Sequence, residues 1–141
     1  MGLAPALLAR MNDLLTQMDA CFGKDESYDI VRYSDLNTHF HAALALAATS
    51  AVIEGEIARV TQLPFASPSA FLPDRSRLAA FRRTLVVGQS EHRAIVEAMA
   101  AREGARAEAL VREHARAARR NVEYLFARGF GADGALGLLA G

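Results

Sequence analysis

His92 and His114 stand eleven residues either side of Glu103, where one helical pattern ends and the next begins. Each residue of a helix adds ~1.5 Å, so two antiparallel helices joined at Glu103-Gly104 bring the two rings back to nearly the same height. Both histidines fall on the apolar stripe of their own segment and therefore face inward together. A buried imidazole needs its ring nitrogens satisfied, and leaving a polar group unsatisfied costs about 1–3 kcal/mol. A divalent metal meets that need for both rings at once, because neutral imidazole is the commonest metal ligand and closely spaced nitrogens suit Zn²⁺, Ni²⁺ or a related ion. The alternative is that each histidine donates to a backbone carbonyl or carboxylate and does nothing more.

Two further pairs upstream have the i, i+4 spacing that presents two ligands on one helix face: Asp35 with His39, and Asn37 with His41. They cannot both point inward. Taking Phe40 and its stripe as the core direction, Asn37 and His41 lie about 80° from it on average, and Asp35 and His39 about 120°. Ligand chemistry pulls the other way, since a carboxylate binds metal more strongly than an amide oxygen. Periodicity leans toward Asn37/His41 and leaves the choice open.

The elements that must position these side chains are helices. Strand signals are nearly absent, and four helical stretches plus one shorter helix account for most of the 141 residues. The first runs from about Ala4 to Phe22, with Leu7, Met11, Leu14, Leu15, Met18 and Phe22 on one face, and stops at Gly23. The second runs from Ser27, read as its N-cap, to Ala48, with Leu36, Phe40, Leu44 and Ala47 inward. A short helix follows from a Ser50 cap through Val52, Ile53, Ile57 and Val60 to about Gln62. Three prolines and two serines then forbid a regular helix from Leu63 to Pro73. From an Asp74 N-cap the periodicity resumes through Leu78, Phe81, Leu85, His92, Val96 and Met99 to about Arg102, with Gly88 weakening it by roughly 1 kcal/mol relative to alanine. The last helix, about Ala105 to Arg128, turns Ala107, Leu110, Val111, His114, Ala118, Asn121 and Leu125 inward. Arg106, Arg112, Arg116, Arg119 and Arg120 lie on its other side and read as a solvated face. Residues 129–141 read as a flexible tail behind a helical ligand-binding domain of residues 1–128.

Composition narrows the function classes. Sixteen basic residues balance sixteen acidic ones, which removes the electrostatic footprint of a nucleic-acid binder. One cysteine excludes an intrachain disulfide framework. No apolar run is long enough to span a bilayer and no secretory signal opens the sequence, so the expectation is a soluble, cytoplasmic protein with no membrane partner. Catalytic signatures such as HExxH or a nucleophile elbow are absent, so no enzyme is expected.

The runs LNTHFHAAL (Leu36 to Leu44), SEHRAIVEAM (Ser90 to Met99) and REHARAARRN (Arg112 to Asn121), taken in order, resemble the C-terminal effector-binding domain of GntR-type transcription regulators. LPFASPSAF also resembles a loop of that family, and the likeness spans about Ala6 to Phe126. It implies an all-α antiparallel helical bundle around a buried metal held by one Asp or Asn and three histidines. Matching the family's Phe-His to Phe40-His41 selects Asn37, His41, His92 and His114 as the ligands and leaves His39 a neighbour. The resemblance further implies a small organic acid as effector, a homodimer, and DNA contact only through a winged helix-turn-helix that this chain is not expected to carry; the sequence leads straight into what resembles the family's second bundle helix. Three histidines and an amide oxygen leave positions open on a six-coordinate ion, which invite a carboxylate. Arg59 and Arg82 are candidates to bind that acid. Glu91 and Ser90, beside His92, are read as solvated, with orientation of ligands as the alternative. Two other functions stay in view: a metal-dependent enzyme, and a helical interaction module whose histidines are structural.

Overall fold

The computed structural model describes residues 3–25, 27–48, 51–61 and 75–127. Five helices carry almost all of them: α1 Pro5–Asp19, α2 Ile30–Ala47, α3 Ala51–Thr61, α4 Arg75–Ala100 and α5 Gly104–Ala127. Among the described residues the only extended pairing is an isolated antiparallel bridge between Phe22 and Tyr28. The expected Ser50 and Asp74 caps, the Leu63 to Pro73 loop and the 129–141 tail lie outside the described residues. The backbone of Val52, Val60, Leu78 and Leu125 is described but their side chains are not, so their inward assignments lie outside the described part too.

The principal helix contacts close into a ring: α1 packs on α2 and α4, α2 on α3, α3 on α5, and α5 on α4. Its interior is filled by Met11, Leu14, Leu15 and Met18 of α1, Tyr33, Leu36, Phe40, Ala43 and Leu44 of α2, Ile53 and Ile57 of α3, Ile95 and Val96 of α4, and Val111 of α5. Each large apolar side chain taken fully out of water contributes about 1.5–3 kcal/mol, so this interior is what holds marginally stable helices in place. None of the described helices is long and apolar enough to cross a membrane.

The start of α2 differs from the expected Ser27 cap. Asp29 is the N-cap, its carboxylate accepting from Arg32 N–H at 3.0 Å. Ser27 instead donates to the Asp25 carboxylate at 2.5 Å, and its carbonyl accepts from Gly23 N–H at 2.8 Å, which closes the turn after α1. A Cβ at Gly23 would displace the Ser27 hydroxyl from its place beside Asp25.

The α4–α5 turn sets the heights of His92 and His114. Glu103 N–H bonds to the Ala98 carbonyl at 2.9 Å and Arg102 N–H to the Met99 carbonyl at 3.0 Å, the two bonds of a Schellman cap. That cap requires a left-handed residue, and it falls on Arg102 (φ 62°) rather than on nearby Gly104. A side chain in this conformation costs roughly 1–2 kcal/mol. Arg102→Gly is therefore expected to stabilise the domain by about 1 kcal/mol after the extra unfolded-chain entropy of glycine is deducted. Urea denaturation checks it, and an unchanged or lowered midpoint contradicts it. α4 runs unbroken through Gly88, where an added Cβ would meet only His114 Cε1 at 3.9 Å.

Candidate metal centre

Three helices that approach from different sides of the ring each send one histidine inward. His41 of α2 is 5% exposed and His92 of α4 is 2% exposed. His114 of α5 is nearly as deep. One ligand atom from each lies within 4.8 Å of the others. The His92 and His114 ring centroids are 4.6 Å apart, and His41 sits 5.4 Å and 5.8 Å from them, in edge-on arrangements. Phe40 packs under His92 with centroids 4.6 Å apart and closes the cluster on the apolar side.

The outward nitrogens decide the chemistry of the inward ones. His114 Nδ1 is 2.6 Å from the Glu91 carboxylate, which can only accept, so Nδ1 carries the proton. His92 Nδ1 is 3.2 Å from the amide oxygen of Gln89, also an acceptor, so it too is protonated there. Where both rings are neutral each is left with a bare Nε2, and these two nitrogens face each other at 3.2 Å. Two lone pairs at that distance repel unless a cation lies against both. Burial opposes charge on His92: it pushes that ring well below its ordinary pKa, with neighbouring His114 and His41 adding to the effect. Burial likewise pushes His41 down to about 3, with His114 contributing.

His41 Nε2 and the side-chain oxygen of Asn37, one helical turn earlier, are buried and have no hydrogen-bond partner. An orphaned ring nitrogen and an orphaned amide oxygen on α2, together with the two opposed nitrogens, are donor types that a divalent transition ion accepts. Two nitrogens each ~2.1 Å from one ion lie ~3.0–3.4 Å apart, and the observed 3.2 Å falls in that interval. The residues present therefore fit a metal.

The competing pair points elsewhere. His39 and Asp35 are 3.7 Å apart with side chains 53% and 74% exposed, so they form a solvent-side pair. Glu91, read from the sequence as solvated, instead holds His114, and the correction arises because its α4 position faces the α5 ring across the turn. Ser90 is exposed as expected. Arg59 is exposed and pairs with Glu56 at 3.2 Å. Arg82 donates to the Gly23 carbonyl at 3.1 Å and lies over the Phe22 ring, about 15 Å down α4 from His92 at the helical rise. Neither arginine is joined to the histidines by these contacts. The arginines of α5 pair with acids of α4, α5 and the turn between them, Arg106 with Glu103 and Glu97, Arg112 with Glu108, Arg116 and Arg120 with Glu113, as a solvated face would.

A family model of the FCD domain matches residues 3–117, and the match takes in α1 to α4 and the first half of α5 with all three histidines. The chain belongs to the FCD family. Among curated proteins none matches it in sequence. FCD domains are the effector-binding domains of GntR-type transcription regulators, so this one has the context of a regulator that responds to a small molecule. Gln89 and Tyr33, which complete the surroundings of His92 in this FCD domain, were not found from the sequence. The one local signal was that Gln89 precedes His92 by three residues, a spacing at which helical side chains meet.

Glu91→Gln tests the outer partner. The amide can present its nitrogen to His114 Nδ1 and so release the tautomer, and loss of such partners lowers metal affinity about 10–100-fold. Competition titration with a chromophoric chelator measures it, and an affinity within threefold of wild type rules the role out.

Proposed function

We propose that this FCD domain is a metal-dependent sensor of a small carboxylate, in which Asn37, His41, His92 and His114 hold a divalent transition ion, Zn²⁺ or Ni²⁺. The single observation that supports it is the 3.2 Å approach of two Nε2 atoms whose rings already donate through Nδ1. The ion would offer its remaining coordination positions to a carboxylate oxygen. Recognition of the acid rests on those positions and not on Arg59 or Arg82, which are engaged elsewhere.

The protein supplies the rest. Phe40 and the apolar interior keep water away from the histidines, and Glu91 and Gln89 orient two of them. The ligands tie α2 to the adjacent pair α4 and α5, which α2 does not otherwise adjoin in the ring, so binding at this point shifts how those helices pack. In a GntR-type regulator that shift would alter the spacing of the DNA-binding domains of a homodimer.

The test is metal analysis of protein purified without a histidine tag, followed by thermal denaturation with Zn²⁺ or Ni²⁺ and then with a panel of organic acids. Close to one equivalent of ion, and an acid-dependent rise in melting temperature only in the metal-loaded protein, are expected. Less than about a tenth of an equivalent, with no thermal response to added ion, would sink the proposal and favour structural histidines; ligand-induced stabilisation follows RT ln(1 + [L]/Kd).

A further inference from the structure

Gln89 is among the most deeply buried polar residues described, at 4% exposure, and both ends of its amide are engaged. Nε2 donates to the Leu15 carbonyl at 3.0 Å and to the Asp19 carboxylate at 3.1 Å, both on α1. A carbonyl and a carboxylate only accept, so this end must be the NH2 and the opposite end the oxygen. That oxygen faces His92 Nδ1 at 3.2 Å, and the buried Tyr33 hydroxyl donates to it at 3.5 Å. Burial drives the Tyr33 phenol far above its ordinary pKa, which keeps it a donor. Asp19 is held in turn by Arg93, one turn beyond Gln89 on α4.

We infer that Gln89 is a positioning residue for the His92 ligand: α1 orients its amide, and the amide oxygen fixes His92 in the Nδ1–H tautomer. With the amide reversed, NH2 would face Nδ1, the ring proton would move to Nε2, and the nitrogen that points at His114 would become a donor instead of a ligand. The consequence for metal affinity rests on the metal-centre reading proposed above. The tautomer does not, because it is a property of the metal-free protein.

The experiment is ¹⁵N–¹H correlation of the histidine rings in metal-free protein at pH 8, paired with Zn²⁺ competition titration, on wild type, Gln89→Met and Gln89→Glu. Methionine keeps the length and removes both hydrogen-bonding ends, whereas glutamate loses the bonds to Leu15 and Asp19 but presents an acceptor to Nδ1 whichever way it turns. Wild type is expected to show His92 as Nδ1–H. Gln89→Met should populate the Nε2–H form and bind Zn²⁺ about 10–100-fold more weakly, and Gln89→Glu should keep the wild-type tautomer and stay within about threefold in affinity. A wild-type His92 protonated on Nε2 overturns the inference even if neither variant folds. So does a Gln89→Met protein with the wild-type tautomer, or equal loss of affinity in both variants, which marks Gln89 as packing only. If no variant and no wild type binds Zn²⁺ while the tautomer changes as expected, the positioning role stands and the metal-centre reading falls.

Discussion

His92→Ala is expected to abolish divalent-metal binding, and His39→Ala to leave it intact. His92 supplies one of the two opposed Nε2 atoms from a fully enclosed position, and no neighbouring donor can replace it: Gln89 is tied to α1 and Glu91 to His114. The loss should exceed the roughly 10–100-fold that follows removal of an outer partner. At an ion concentration a hundred times its Kd, wild type gains about 2.7 kcal/mol of stability, and the variant should gain none. Calorimetric titration with Zn²⁺ and a melting curve with and without the ion provide both readings. His39 controls for histidine content, since it is half exposed and paired with Asp35 on the solvent side. Equal metal uptake by wild type and His92→Ala would dismiss the buried centre, and loss in His39→Ala alone would move the site to the surface.

The second large effect is acid destabilisation of the metal-free domain. Burial, with a smaller contribution from His114, holds His41 down to about 3, and burial with both neighbouring histidines holds His92 well below its ordinary value. In the unfolded chain both titrate near 6.5. Below that pH the unfolded state takes up protons that the folded state refuses, so stability is complete above about pH 6.5 and falls as pH drops toward the folded values. Each histidine contributes up to about 1.4 kcal/mol per pH unit in that window, so the pair accounts for a few kcal/mol by pH 5, before most carboxylates protonate. Urea midpoints measured in chelator at pH 7.5, 6.5, 5.8 and 5.0 should decline, with the steep part below 6.5. His41→Leu should flatten the decline by about half, and added Zn²⁺ should move it to lower pH, since the ion requires neutral rings. A midpoint that stays constant from pH 7.5 to 5.0 would mean that the rings accept protons inside the fold.

The helical periodicity identified five helices within one to three residues of their ends, because that pattern is local and is enforced by burial of one stripe. Its failures were also local in kind. Ser27 and Asp29 are both acceptable caps by residue type, and the choice of Asp29 follows from the bridge and hydrogen bonds that fold Phe22 through Tyr28 back on α1. Gly104 stands two residues past the left-handed position and does not occupy it, so Arg102 carries the strain in its place.

For the site, spacing alone determined that His92 and His114 meet: eleven residues each way about a tight turn leaves little freedom. Between Asp35/His39 and Asn37/His41 it leaned toward the latter without settling the choice, because both pairs sit off the centre of the α2 stripe and a carboxylate is the stronger ligand; the resemblance then selected Asn37/His41. The tertiary structure places His39 and Asp35 in solvent and buries His41 and the Asn37 oxygen without partners. It alone brought in Gln89, whose anchors on α1 are 70 and 74 residues away in the chain, and turned Glu91 from a surface acid into the partner of His114. Sequence thus determined which side chains reach the interior and at what height. Which nitrogen of each ring is left bare depends on acceptors supplied by other helices, and those are set by how the helices pack, at separations that no periodic pattern records.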